Sequence, residues 1–281
     1  MPRYAYVNGR YLPHARAQVH IEDRGYQFAD GVYEVVLIHD GRLVDEEPHL
    51  DRLGYSLDAL RIPWPMARPA LRLVLRELIT RNGVAQGTVY LQVTRGVAPR
   101  DHKFPRHATP SLVATTKRLR PPPAGGVAVI TRPDIRWRRC DIKSVALLPN
   151  ILGKQAAAEA GAFEAWLVDD DGCITEGTST NAWIVTRAGR LVTRNLSAAI
   201  LSGITRLSLF QLVQADGIGF EERRFSVAEA KDAAEAFLTS TTSLVLPVTR
   251  IDGQAIGDGK PGPLTMKLRE SFLRYLAAPP S

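Results

Sequence analysis

The chain is poor in the residues that mark extracellular and membrane proteins. It has only two cysteines, Cys140 and Cys173, which are too far apart for a CxxC pair and are typical of a reduced chain. No apolar run approaches the ~18 residues that a membrane span needs. The first residues contain no long apolar segment typical of a signal peptide. We therefore expect a cytoplasmic protein with no membrane partner.

Sequence motifs of several enzyme classes are also missing. The chain has no Walker A loop, no HExxH zinc motif and no GxSxG nucleophile elbow. The acidic run 169–172 lacks the further carboxylates that a calcium loop places at fixed spacing, so we interpret it as a hairpin turn. The sequence therefore predicts no metal site.

Lysine is scarce in a chain that is otherwise basic. Arginine outnumbers lysine 29 to 7, and the net charge is +7. Because the basic residues are spread along the chain and no nucleic-acid-binding motif accompanies them, we expect no nucleic-acid partner. A reaction that needs an amine nucleophile has seven candidates, which are Lys103, Lys117, Lys143, Lys154, Lys231, Lys260 and Lys267.

Length and composition are those of an ordinary folded protein. The 281 residues are 45% hydrophobic and 23% charged, which indicates one large or two modest domains. The proline-rich segment 120–126 fits neither a helix interior nor a central strand, and we interpret it as a linker. The predicted fold is α/β (α+β) with two lobes, a small N-terminal domain at 1–119 and a larger C-terminal domain at 127–281. A cleft between such lobes is a favoured place for a small ligand.

Hairpin and helix patterns occur in both predicted domains. Strand-like segments flank Asn-Gly or Asp-Gly turns at 8–9, 40–41 and 252–253. Apolar residues at helical spacing predict five helices, near 50–60, 69–81, 149–160, 203–217 and 264–276.

Three segments offer groups that bind a phosphate. In 201–206 (LSGITR) a glycine-containing turn precedes an amphipathic helix, which leaves the backbone N–H groups of Ile204 and Thr205 available to an anion. The hydroxyl-rich segment 238–243 (LTSTTS) supplies further donors, and Arg52 offers a guanidinium clamp. Taken alone, these segments also fit a helix cap, a polar loop and a solvated helix face.

Two other segments offer an amine and a carboxylate. Lys143 is flanked by apolar residues, and burial lowers the pKa of an amine and frees it to form a Schiff base with an aldehyde. Lys154 is interpreted as a surface residue. Glu176 precedes a glycine and a hydroxyl-rich turn, and a carboxylate opposite a pyridine nitrogen keeps that nitrogen protonated. Alone, Lys143 also fits an amphipathic surface lysine and Glu176 a turn cap. Together with the phosphate groups, they predict pyridoxal 5′-phosphate as the cofactor.

With these segments in this order, the sequence resembles the fold-type IV, class IV pyridoxal-phosphate aminotransferases over nearly its whole length. The resemblance implies that Lys143 forms the Schiff base with the cofactor and that Glu176 faces the pyridine nitrogen. It also implies that the cofactor lies in the interdomain cleft. The residues that it assigns to the phosphate are Arg52, Ile204, Thr205 and Thr241, and the residue behind the cofactor ring is Leu201.

Within this class the chain is most similar to the D-amino-acid transaminases. Arg100 and His102 follow a VTRG strand, and Tyr33 lies in the FADGVYE segment. The resemblance implies that these three residues trap the α-carboxylate of the substrate, and that Arg100 and His102 reach in from the neighbouring subunit of a homodimer. The implied reaction transfers the amino group of a D-amino acid such as D-alanine to a 2-oxo acid such as 2-oxoglutarate, giving pyruvate and D-glutamate.

Three alternatives remain open on the sequence. A branched-chain L-amino-acid transaminase keeps the cofactor residues but not the function of Arg100 and His102. An aminodeoxychorismate lyase uses the same fold for elimination and releases pyruvate without an acceptor. A non-catalytic cofactor carrier or an arginine-rich binding module shows cofactor absorbance without turnover, or salt-sensitive DNA binding.

Overall fold

The computed structural model describes residues 3–119, 123 and 125–278. Contacts within the chain divide it into two compact units, Met1–Arg120 with Ile142–Ala146, and Pro121–Asp141 with Leu147–Ser281. Of the predicted linker 120–126, residues 120–122 and 124 lie outside the described residues. The domain boundaries inferred from this linker stay a prediction, and the division by contacts differs from them at Ile142–Ala146.

The first unit is built on a six-stranded antiparallel sheet. Its strands are β1 (Tyr4–Val7), β2 (Arg10–Pro13), β3 (Gly31–His39), β4 (Arg42–Leu43), β5 (Gly87–Thr94) and β6 (Ser111–Arg118). Their order across the sheet is β2-β1-β6-β5-β3-β4. The helices of this unit are α1 (Arg24–Phe28), α2 (Glu46–Ala59) and α3 (Arg68–Asn82).

The core of the first unit lies between its sheet and its longer helices. Along β3, buried residues alternate with half-buried ones, as a period of two requires for a strand that packs one face against helices. Leu50, Leu53 and Leu57 share one face of α2 and are buried in the same cluster as Val36 and Ile38 of β3. This packing fixes α2 against β3.

The short segment Ile142–Ala146 runs beside β3. The backbone N–H of Tyr33 donates to the carbonyl of Lys143 at 3.0 Å, and that of Val145 donates to the carbonyl of Gly31 at 3.0 Å. Ile142 is buried in the core of the first unit. Lys143 is therefore held to β3 through its backbone.

The second unit is built on a nine-stranded mixed sheet. Its strands are β7 (Val127–Pro133), β8 (Glu164–Val168), β9 (Ile174–Gly177), β10 (Asn181–Val185), β11 (Leu191–Thr193), β12 (Phe220–Glu222), β13 (Glu235–Ser240), β14 (Leu244–Ile251) and β15 (Gln254–Ala255). Their order is β12-β11-β10-β13-β14-β7-β8-β9, with β15 paired to β14. Its helices are α4 (Leu148–Glu159), α5 (Ile204–Ala215), α6 (Val227–Asp232) and α7 (Pro263–Ala277).

The central strands of the second sheet are buried on both faces. All five residues of β10 are buried, as are four of the five in β8. Trp166 on β8 and Trp183 on β10 are fully buried. Such strands hold the loops at their ends in fixed positions.

The predicted elements are confirmed where the sequence pattern is long or the turn is specific. The five predicted helices correspond to α2, α3, α4, α5 and α7. The Asn8-Gly9, Asp40-Gly41 and Asp252-Gly253 turns all have positive φ at both residues, which the tight turns of hairpins require. The short helices α1 and α6 were not predicted. Among the helices of the described residues, none has the length and apolarity needed to span a bilayer.

Candidate active site

The amine of Lys143 lies over an aromatic ring of the first unit. Its Nζ is 4.3 Å from the centroid of the Tyr33 ring, and its side chain is half-buried. The backbone N–H of Lys143 donates to Oγ of Ser56 on α2 at 3.2 Å. Strand β3 and helix α2 therefore fix both the backbone and the side-chain position of this lysine.

The other candidate amine has different surroundings. Lys154 lies on α4 in the second unit, where its Nζ donates to the carbonyl of Phe163 and lies 3.6 Å from the buried carboxylate of Glu164. These contacts make Lys154 part of a structural ion pair.

Arg52 is held by a buried carboxylate that the sequence reasoning missed. Its Nε and Nη2 donate to the two carboxylate oxygens of Glu34, each at 2.8 Å, and Nδ1 of His49 lies 2.8 Å from the same carboxylate. Burial alone raises the pKa of Glu34, but the charge and hydrogen bonds of Arg52, with those of His49, lower it to about 2. Glu34 is therefore ionised, and it fixes the plane of the Arg52 guanidinium.

The alternating pattern of β3 indicates that Glu34 is buried. Glu34 lies on the same face of the strand as the buried residues Val32, Val36 and Ile38. A carboxylate at such a position needs a buried cationic partner. That partner is Arg52, which lies on the next helix along the chain, α2.

Arg100 and His102 lie on an exposed segment that follows β5 in the first unit. Their side chains approach the same aromatic ring, that of Phe28. The Arg100 guanidinium carbon is 4.9 Å from the ring centroid, and the His102 ring is 5.5 Å from it. Tyr33, the third predicted substrate residue, lies on β3, which pairs with β5.

Glu176 is buried on β9 of the second unit and accepts three donor groups. These are Nη1 of Arg136, the backbone N–H of Leu201 at 3.1 and 3.2 Å, and Nδ2 of Asn181 at 3.1 Å. A carboxylate has about four lone-pair positions. The Leu201 N–H contacts both oxygens, so these donors make four contacts with the carboxylate, two on each oxygen.

Burial and a neighbouring cation act on Glu176 in opposite directions. Burial raises the pKa of this carboxyl, while Arg136 and the N–H of Leu201 oppose the rise. Arg136 also pairs with Asp134 at 2.7 Å and donates to the carbonyl of Ala199 at 3.0 Å. The pKa of Arg136 is raised above its ordinary value, because the hydrogen bond of Asp134 and the charges of Glu176 and Asp134 outweigh its burial. Arg136 and Asp134 were not recognised in the sequence as site residues.

Asn181 joins the separate motifs of the second unit. Its Nδ2 donates to Glu176 and, at 3.0 Å, to the carbonyl of Leu201. Asn181 lies on β10, opposite Thr239 of the neighbouring strand β13. Thr239 precedes the hydroxyl-rich turn between β13 and β14. A Cβ on Gly203 would lie 2.0 Å from Oδ1 of Asn181, so only glycine fits at this approach. The sequence contains Asn181 in the TEGTSTN segment, but we assigned it no role.

The N-terminus of α5 has the form that the sequence predicts. The helix begins at Ile204 with Gly203 at the N-cap position, and Gly203 has no side chain that could cap the first turn. Ile204 and Thr205 are buried residues of the first turn, and backbone N–H groups at this position of a helix bind anions.

Thr241 lies in the turn between β13 and β14, half-buried. Within this turn the backbone N–H of Ser243 donates to Oγ of Ser240 at 3.1 Å. The turn follows Thr239, the register partner of Asn181. Glu176, Leu201, the start of α5 and this turn are thus connected through one asparagine.

The donor set of each unit fits the predicted cofactor. The first unit carries an amine at Lys143 and a fixed guanidinium at Arg52. The second carries the N-terminus of α5 at Ile204, which binds anions, and a buried carboxylate at Glu176. An aldehyde, a phosphate and a pyridine nitrogen require these three kinds of group.

The chain matches the family Amino-transferase class IV over residues 31–251. It belongs to this family and is therefore an aminotransferase. The cofactor of the class is pyridoxal 5′-phosphate, in agreement with the sequence-based prediction.

Curated relatives and solved structures agree with this assignment. The chain is 45% identical to a D-alanine aminotransferase of Bacillus licheniformis over 94% of both chains. It is 38% identical to a D-alanine aminotransferase of Staphylococcus haemolyticus over 96% of this chain and 97% of the other.

The Escherichia coli branched-chain amino acid aminotransferase has the same fold, with a TM-score of 0.91 at 22% identity over 98% of this chain and 95% of the other. A PLP-bound hypothetical aminotransferase of Mycobacterium tuberculosis has a TM-score of 0.84 at 24% identity over 97% and 98%. The predicted fold-type IV α/β class is confirmed, and the position of the cofactor in a cleft stays a prediction.

Proposed function

We propose that this aminotransferase transfers the amino group of a D-amino acid to a 2-oxo acid. D-Alanine and 2-oxoglutarate are the proposed pair, with pyruvate and D-glutamate as products. The observation that carries the proposal is the identity of 45% and 38%, over nearly the full length, to relatives named D-alanine aminotransferase.

Lys143 is the proposed catalytic residue. When bound, pyridoxal phosphate supplies an aldehyde and an electron-withdrawing ring. Lys143 would bind this aldehyde through Nζ and, as a free amine, would move the α-proton as a general base and acid. Its position over the Tyr33 ring and its backbone bonds to β3 support this role, because they place the amine beside the predicted substrate residue Tyr33.

The other cofactor residues are proposed to hold and polarise the ring. Glu176 would accept a hydrogen bond from the protonated ring nitrogen, and its buried position on β9 supports this role. Leu201 is proposed to back the ring. The residues proposed to hold the phosphate are Arg52, Ile204, Thr205 and Thr241.

Arg100, His102 and Tyr33 are proposed to bind the α-carboxylate of the substrate. An arginine fork matches a carboxylate, and the histidine and phenol add donors. Because Lys143 moves the proton on one face only, the side on which the carboxylate is held decides which enantiomer reacts. The D-specificity of the enzyme therefore depends on this trap.

A homodimer in the cytoplasm is part of the same proposal. Leu148, Ile151 and Leu152, at the start of α4, are more than half exposed, and exposed apolar patches of this kind mark protein interfaces. Both cysteines are free, as in a reducing compartment. Light scattering tests the oligomeric state, and an active monomer would contradict a site shared between subunits.

The substrate assay compares two amino donors. Purified enzyme loaded with pyridoxal phosphate is incubated with D-alanine or L-leucine, each with and without 2-oxoglutarate. The proposal expects D-glutamate, and pyruvate beyond one equivalent per active site, from D-alanine only when the acceptor is present. Faster turnover of L-leucine would identify a branched-chain enzyme, and pyruvate release from aminodeoxychorismate without an acceptor would identify a lyase.

A further inference from the structure

The segment that carries Arg100 and His102 has no regular secondary structure of its own. It follows β5, and both side chains are exposed. An exposed arginine loses considerable side-chain freedom when it must hold one geometry. A pair that recognises a carboxylate therefore needs a rigid support.

Phe28 provides a surface that both side chains contact. The Arg100 guanidinium carbon lies 4.9 Å from the ring centroid, and the His102 ring lies 5.5 Å away at 51°. Arg24, one turn earlier on α1, lies 4.8 Å from the same centroid. One ring therefore contacts two cations and an imidazole.

Arg24 also fixes the backbone between the two substrate residues. It is buried, and its Nη1 donates to the carbonyl of Asp101 at 2.6 Å. Its Nε donates to Oδ2 of Asp30 at 2.8 Å. Asp101 lies between Arg100 and His102 in sequence. The hydrogen bond to its carbonyl therefore holds the backbone from which both side chains extend.

Asp30 anchors Arg24 from the other side. Arg95 donates to both oxygens of Asp30, at 2.7 and 2.9 Å. Burial alone raises the pKa of Asp30, but the hydrogen bonds from Arg95 and Arg24 outweigh it and lower the pKa below its ordinary value. Asp30 is therefore ionised and holds the two arginines together.

Backbone contacts attach α1 to the start of the same segment. The N–H of Arg24 donates to the carbonyl of Gly96 at 2.9 Å, and the N–H of Ala98 donates to the carbonyl of Glu22 at 3.3 Å. The end of α1 is stopped by Ala29 in the left-handed region. Helix α1 and the segment after β5 thus form one tied unit.

We propose that Arg24 and Phe28 are positioning residues for recognition of the substrate carboxylate. Phe28 orients the Arg100 guanidinium and the His102 ring, and Arg24 holds the backbone between them. The inference rests on the proposed function, because it assumes that Arg100 and His102 bind the carboxylate.

The first test removes the ring of Phe28 in the holoenzyme. We expect Phe28→Leu to raise the KM for D-alanine and the inhibition constant of propionate, an unreactive carboxylate, by about fivefold, while kcat changes less than about twofold. Phe28→Tyr keeps the ring and restores most of the affinity. Tyr26→Leu on the exposed side of α1 is the matched control and leaves both constants unchanged.

A double-mutant cycle separates this inference from the proposed function. Arg100→Ala is expected to raise the KM by about tenfold or more, and Phe28→Leu added to it has a smaller effect than in the wild type. If Arg100→Ala leaves the KM unchanged, the carboxylate role is wrong and the positioning role falls with it. If Arg100→Ala raises the KM and Phe28→Leu does not, only the positioning role is overturned.

Hydrogen exchange tests the tether without an activity assay. Arg24→Met in the holoenzyme is expected to speed exchange in residues 97–104 by about tenfold, while Arg106→Met, which removes an exposed arginine nearby, does not. This measurement also applies if Phe28→Leu fails to fold. Unchanged exchange in Arg24→Met would overturn the proposal.

Discussion

The carboxylate of Glu34 holds the guanidinium of Arg52 by two hydrogen bonds of 2.8 Å each. The two residues come from β3 and α2, and the Glu34 side chain is 1% exposed. Arg52 is the proposed phosphate arginine, so its orientation is set before any ligand binds. His49 completes the group on the same carboxylate.

Glu34→Gln is expected to weaken both stability and cofactor binding. The substitution leaves the Arg52 cation in a buried place without its counter-charge, which lowers the free energy of unfolding by about 2–4 kcal/mol. Urea denaturation and a cofactor titration measure the two effects. Glu77→Gln, at an exposed pair with Arg81, is the matched control and costs about 0.5 kcal/mol or less. An unfolding midpoint equal to that of the wild type would contradict the account.

The pH dependence of stability follows from the same carboxyl. The pKa of Glu34 is about 2 in the native state and 4.5 as the ordinary value, so the unfolded chain binds the proton first as pH falls. Its stabilising contribution is therefore present above about pH 4.5 and is lost between about pH 4.5 and pH 2. Urea denaturation across this range should show a steeper loss in the wild type than in Glu34→Gln. Parallel curves would show that Glu34 is not ionised in the native state.

Arg136→Met is expected to shift the pH profile of catalysis. Burial raises the pKa of Glu176, and Arg136 opposes that rise, so removing the cation raises the pKa further. Because the proposed role of Glu176 needs the ionised carboxylate, the acid limb of kcat/KM should move to higher pH. Arg138→Met, at an exposed neighbour, is the control. A movement to lower pH, or none, would argue against this electrostatic coupling.

Gly203→Ala is expected to displace the start of α5. The new Cβ would lie 2.0 Å from Oδ1 of Asn181, an approach that real structures do not contain. The helix N-terminus must then move, and the affinity for pyridoxal phosphate should fall by about tenfold or more. Gly219→Ala is the matched control, because its Cβ meets only the flexible end of Arg190. Equal cofactor affinities for the two variants would argue against phosphate binding at α5.

The sequence predicts those parts of the fold whose signal is local. Leu50, Leu53 and Leu57 repeat at helical spacing, and Asn8-Gly9 has the turn chemistry of a tight hairpin, so α2 and the first hairpin are recognisable without a structure. Helix α1 has five residues and α6 has six, which is too short for a periodic pattern. Neither helix was predicted for that reason.

The candidate site also contains residues that the sequence predicts and residues that it does not. Arg52 and Glu176 lie in recognisable segments, but their ionic partners come from distant parts of the chain. Glu34 lies 18 residues from Arg52, and Arg136 lies 40 residues from Glu176. Such pairs arise from strand and helix packing, which no local pattern contains. The buried phase of Glu34 in β3 is the one signal that points to a partner.

Identification of the lysine that carries the cofactor decides whether Lys143 is the catalytic amine. The holoenzyme is reduced with borohydride, which fixes the cofactor on its amine, and the labelled peptide is identified by mass spectrometry. We expect the label on Lys143, and we expect Lys143→Ala to abolish the yellow absorption band whereas Lys154→Ala keeps it. A label on Lys154 or on another lysine, with the band intact in Lys143→Ala, would show that Lys143 is not this amine.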